Sequence, residues 1–155
     1  MRGILAALLL AVAGPAVADD WGRYENARFG YAIDIPPGFD GQDEADNGDG
    51  QVFSTPTAEL RVYGGYILEG DFEDEIKALQ QTAVEAGWTI TYQAVTPRWA
   101  SYSGTQGSRI FYARAIALCD GAVAEFSLIY GKVDLQPFNQ IVERLVRSLK
   151  PVGTC

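Results

Sequence analysis

Ser108 to Gly131 constrains this chain more than any other stretch, because two runs of β-favouring residues meet there at Asp120-Gly121. A two-residue type I′ turn needs positive φ at both central positions, and Asp-Gly between such runs meets that need. The turn places Cys119 opposite Ala122 and thereby sets every later pair. On that register one face carries Phe111, Ala113 and Ala115 with Ala124, Phe126 and Leu128, apolar throughout. The other carries Tyr112, Arg114 and Ile116 with Val123, Glu125 and Ser127, where Arg114 and Glu125 stand on a diagonal as the only charged pair. Both faces read as covered, so the hairpin is predicted to lie at the centre of a sheet. Arg114 and Glu125 are predicted to form a structural ion pair or to mark a pocket.

The ends of the chain speak to its location. Arg2 precedes the apolar run Ile4 to Ala13, and Ala16-Val17-Ala18 stands before Asp19. A basic start, a short apolar core and a small-residue cleavage site make a Sec-type signal peptide over residues 1–18, cleaved after Ala18. Residues 19–155 are then one globular domain, periplasmic or secreted. No later run approaches the roughly 20 apolar residues of a membrane span. The formal charge of -8 lacks the basic footprint that nucleic acid requires. The two cysteines, Cys119 and Cys155, are predicted to form a disulfide in an oxidising compartment. Closing that loop contributes roughly 4 kcal/mol on chain-entropy grounds.

Hydrophobic period and breakers order the rest. Tyr31 to Ile35 alternates and stops at Pro36-Pro37, Gln51 to Thr55 and Glu59 to Gly65 read as strands, and Trp88 to Val95 and Trp99 to Ser103 follow as two more. A helix runs from a cap at Asp71 to Gly87, with an apolar stripe through Ile76, Leu79 and Ala83. A second runs from a cap at Asp134 to about Leu149. Strands linked by hairpins with two helical crossovers predict an α+β fold around a mainly antiparallel sheet of six or seven strands.

Chemistry is sparse. There is no histidine, which removes the commonest base and metal ligand. In the acidic loop 40–50, Asp43, Glu44, Asp46 and Asp49 are the candidate ligands for Ca2+, although the acids miss the alternate spacing of a D-x-D-x-D-G loop. Otherwise no cofactor is expected. Aromatic residues recur on strands, and Trp99 and Tyr102, in a Gly- and Ser-rich neighbourhood, are predicted to form an exposed binding surface.

Tyr24 to Phe39, in which Phe29-Gly30-Tyr31 runs into Pro36-Pro37 and Phe39, resembles the opening of PsbP/Mog-like domains. The acidic turn Asp46 to Gly50, followed by Val52-Phe53 and Leu60-Arg61-Val62-Tyr63, is similar to exported bacterial proteins with that opening. The resemblance implies an α/β/α sandwich and a binding or assembly module rather than an enzyme. The expectation is a non-catalytic periplasmic domain engaging an envelope protein or a small ligand. The alternatives are a carboxylate- or metal-assisted hydrolase of an envelope substrate, and a calcium-binding domain.

Overall fold

The computed structural model describes residues 20–154, so the predicted signal peptide and Cys155 lie outside the described residues. The strands are β1 (Gly22–Asn26), β2 (Tyr31–Ile35), β3 (Asp40–Gly41), β4 (Gly50–Ser54) and β5 (Glu59–Tyr66). Helix α1 (Phe72–Glu85) precedes β6 (Thr89–Val95), β7 (Trp99–Gln106), β8 (Arg109–Ala117) and β9 (Ala122–Gly131). Helix α2 (Leu135–Ser148) and β10 (Lys150–Pro151) close the chain. The main sheet has seven antiparallel strands in the order β3-β4-β5-β9-β8-β7-β6, which puts the predicted hairpin at its centre.

Two elements differ from expectation. Tyr31–Ile35 does not join the main sheet but forms the middle of a separate three-stranded one, β1-β2-β10, with β1 drawn from the mixed lead-in before Gly30. Four of its five residues are buried, because this small sheet packs between solvent and the main sheet beside α2. Strand β7 runs on through Gly104 to Gln106, beyond the Trp99 to Ser103 run read from the sequence. A Cβ at Gly104 would meet the Phe111 ring and the Thr89 carbonyl oxygen at 2.6 Å each, so this glycine answers close packing inside the sheet.

The hairpin keeps its turn and loses its register. Asp120 and Gly121 have φ of 56° and 70°, the positive values expected. However, the Leu118 N–H donates to the Ala122 carbonyl at 2.8 Å, and the ladder continues with Ala117 opposite Val123. One extra residue on the β8 side acts as a bulge beside the turn. Because side chains alternate with period two, this slip turns β9 over relative to β8. Phe111, Ala113 and Ala115 therefore share a face with Val123, Glu125, Ser127 and Ile129, and Tyr112, Arg114 and Ile116 share the other with Ala124, Phe126 and Leu128. The predicted Arg114–Glu125 pair does not form, since the two side chains leave opposite faces of the sheet.

Each face has its own cover. Against Phe126, Leu128, Leu60 and Val62 pack Ile33 and Ile35 of the small sheet with Leu145 and Leu149 from α2 and its end. Each such large apolar side chain contributes roughly 1.5–3 kcal/mol by leaving water. Against Ala100, Phe111, Ala113 and Ala115 packs α1 through Phe72 and Ile76. The small side chains of these strands let the helix approach closely. Its N-terminus is held by a capping box, in which the Asp71 side chain accepts from the Asp74 N–H at 3.0 Å and the Asp74 side chain accepts in return from the Asp71 N–H. Asp134 precedes α2 as predicted, but its side chain makes no capping bond.

Candidate functional site

Helix α1 covers the main sheet incompletely. On the same face Arg61 and Tyr63 of β5 stay exposed, and between them and the helix Glu125 stands on β9. Its Oε2 accepts a hydrogen bond from the Tyr102 hydroxyl at 2.7 Å. Tyr102 is only 3% exposed, so the prediction that it belongs to a surface patch with Trp99 is corrected. Strand parity explains the error. Residues three apart on a strand point to opposite faces, and Tyr102 shares its face with Ala100 under α1, away from Trp99.

Glu125 has no cationic partner among the described residues, and a second acid, Glu75 of α1, acts on it electrostatically. Burial drives its carboxyl from an ordinary 4.5 up to about 7, the Tyr102 donor pulls it down in part, and the Glu75 charge adds to the rise. Burial, then the adjacent carboxyl, push the Tyr102 phenol upward, so it remains a donor. The carboxyl keeps an open edge on a cleft of about 200 Å³ between α1 and the sheet, whose walls include Leu79, Ala83, Trp88, Phe111 and Ser127. Phe111 makes edge-to-face contacts with both Trp88 and Tyr102, at 5.1 and 5.7 Å between centroids. One carboxyl lines this cleft, so it does not present the two convergent acids expected of a carboxylate hydrolase.

Arg114 builds a different site on the opposite face. Its guanidinium lies 4.3 Å over the Trp99 ring, and its Nη1 donates to the Ser101 hydroxyl at 3.1 Å. Its Nε is buried without a hydrogen-bond partner, and no carboxylate bridges it among the described residues. Burial draws the guanidinium down from its ordinary value, opposed by Tyr112 and Tyr92, and the group stays charged at any neutral pH. Trp99 and Tyr92 are 37% and 49% exposed, and the register of β6, β7 and β8 sets both on Arg114's side of the sheet. The result is a cation flanked by two aromatic rings on an open strand surface.

The acidic loop is organised by bonds to its neighbours. Glu44 accepts from the Tyr24 hydroxyl at 2.8 Å, and Asp49 bridges Arg28 at 2.6 Å and accepts from Asn47 at 2.6 Å. Asp43 and Asp46 point into solvent, and no group of three or more acids or cysteines converges among the described residues. The structure therefore does not bring the four candidate Ca2+ ligands together. A residue that the sequence did not single out pins the loop: buried Asn26 donates to the Gly48 carbonyl at 2.8 Å and to Tyr24 at 3.1 Å, and accepts from the Phe29 N–H at 2.9 Å. Cys119 lies at the hairpin turn, and its predicted partner lies outside the described residues.

A seven-stranded antiparallel sheet covered by one helix on one face and by a helix with a small sheet on the other is the PsbP/Mog-like fold. The chain is similar to cyanobacterial PsbP (CyanoP) from Synechocystis sp. PCC 6803, with a TM-score of 0.65 and 17% identity over 92% of this chain and 98% of that one. It is also similar to the Ran-binding protein Mog1p of Saccharomyces cerevisiae, with a TM-score of 0.62 and 10% identity over 88% of this chain and 97% of that one. At these identities the likeness is one of fold. No family model and no curated protein matches the sequence.

Proposed function

We propose that this chain is an exported, non-catalytic binding or assembly domain that docks a protein partner of the cell envelope on the Arg114 face. The observation that carries the reading is the Arg114–Trp99 stack, a cation with no carboxylate partner among the described residues, beside two half-exposed aromatic rings. Arg, Trp and Tyr dominate binding energy at protein interfaces, where a pre-stacked guanidinium loses little entropy on docking. Such a surface fits a partner that brings a carboxylate to Arg114 and flat apolar area to Trp99 and Tyr92. The fold shared with the Ran-binding Mog1p agrees with a binding role. No helix among the described residues is long and apolar enough to cross a membrane.

The test is site-specific photocrosslinking in cells that export the protein. A photoreactive residue at Ser103, on the same face of β7 as Trp99, is expected to yield one discrete adduct, abolished by Arg114→Ala, while the same group at Gln81 on α1 yields none. Equal labelling at both positions, or an adduct indifferent to Arg114, would sink the proposal. Export and the disulfide belong to the same reading. The mature N-terminus is expected at Asp19, and Cys119 and Cys155 are expected to react with an alkylating agent only after reduction.

A further inference from the structure

Among the described residues, Glu125 is a charged group that the packing leaves without a cationic partner. Most buried carboxylates are matched by a cation or by several N–H donors. Here one neutral hydroxyl, from Tyr102, is the only hydrogen-bond donor among the described residues, while Arg61, diagonal to it on β5, is already bridged to Glu59 at 2.7 Å. The cleft it lines is walled further along by Trp88 and Phe111, and Glu75 adds a second negative field. A negative group on the wall of a partly desolvated cleft attracts a positive charge on an apolar body, because the carboxylate holds the charge while the aromatic and aliphatic walls cover the body.

We infer that the cleft between α1 and the sheet binds a small organic ammonium, an amine carried on a ring or short alkyl stem, with the nitrogen on Glu125 and the stem between Trp88, Phe111, Leu79 and Ala83. A volume of about 200 Å³ suits a single ring with a short arm and is too small for a peptide chain. The Ser127 hydroxyl, two residues along the same face from Glu125, is placed to accept a second ammonium proton. Arg109 lies over Trp88 at 6.0 Å from its ring centroid, so a positive group already sits against the outer wall. This site lies on the opposite face of the sheet from the Arg114 surface and stands or falls independently of it.

Binding requires the ionised carboxylate. The groups that bear on its proton are Glu75 from α1 and Tyr102 from β7, with Tyr63 and the bridged Arg61 on β5 beside it, whereas β8 presents Phe111, Ala113 and Ala115 on this face and carries its one charge, Arg109, at the Trp88 end of the cleft. With Glu125 at about 7, affinity is expected to rise between about pH 6 and about pH 8, while the amine itself stays protonated.

The experiment is a titration of the full exported chain with 2-phenylethylamine, followed by ¹H–¹⁵N NMR at the Trp88 indole N–H and the Glu125 and Ser127 amides. Saturable shifts at these three positions are expected, with neutral 2-phenylethanol binding at least about ten-fold more weakly. Glu125→Gln is expected to weaken the amine by about 10- to 100-fold, the span of a charge-assisted hydrogen bond. Ala83→Leu, which fills the cleft from the helix side and leaves Glu125 in place, is expected to block both probes. If Glu125→Gln does not fold, Ala83→Leu decides alone. Absence of saturable shifts, equal affinity for the alcohol, or amine binding that survives either variant overturns the site.

Discussion

The two faces of the main sheet carry different kinds of surface although the same strands make them. On the α2 side, Leu60, Leu128 and Phe126 meet the small sheet and the helix in an apolar interior. On the α1 side, alanines and aromatics meet a helix that stops short of β5, and a carboxyl is left at the margin of its cover. The first face holds the domain together. The second trades packing for a cleft, and the strands beyond both helices present the Arg114 stack. Stability and recognition are thus separated by face and by strand.

The largest effect that distinguishes the faces is expected from Phe126→Ala, which should cost about 3–5 kcal/mol in urea unfolding because nothing beside it can collapse into the space. A loss under about 1 kcal/mol would mean the α2 side is loosely packed. Next comes pH. The carboxyl of Glu125 moves from 4.5 to about 7 on folding, so the folded state binds the extra proton between those values. Its contribution is therefore full below 4.5 and is lost as pH rises through about 7. After allowance for the open edge of the cleft, the loss is expected to be about 1–3 kcal/mol. Glu125→Gln should flatten that slope in unfolding curves taken across the window, and an unchanged slope would place the titration elsewhere.

Smaller effects sharpen the same contrast. Asp71→Ala removes the cap of α1 and should cost about 1 kcal/mol, with amide exchange accelerating in α1 and not in α2. Trp99→Ala should change stability by less than about 1 kcal/mol, since an exposed cation–aromatic contact contributes little to folding. A larger loss would assign Trp99 to the core rather than to a docking surface.

Much of this architecture was legible in the chain because it rests on local chemistry. The apolar stripe of α1, its Asp71 cap, and the Asp120-Gly121 turn are all read from neighbouring residues. The register was not, because a single bulged residue after a correctly identified turn is invisible to alternation, which looks the same in either register. Its consequence was large: it separated Arg114 from Glu125 and hid the site that each one builds. Tyr102 was a different case. Its odd spacing from Trp99 on one strand already assigned the two to opposite faces, so the signal was present and composition obscured it. The separate small sheet could not be read locally, since β10 joins β2 through residues more than a hundred positions away.

The central claim, that Glu125 belongs to Tyr102 and not to Arg114, is tested most directly by paired double-mutant cycles on unfolding free energy. Tyr102→Phe with Glu125→Gln is expected to show a coupling of about 1–3 kcal/mol, and Arg114→Ala with Glu125→Gln a coupling within about 0.5 kcal/mol of zero. The reverse pattern, with Arg114 coupled and Tyr102 not, would contradict the register and both sites derived from it.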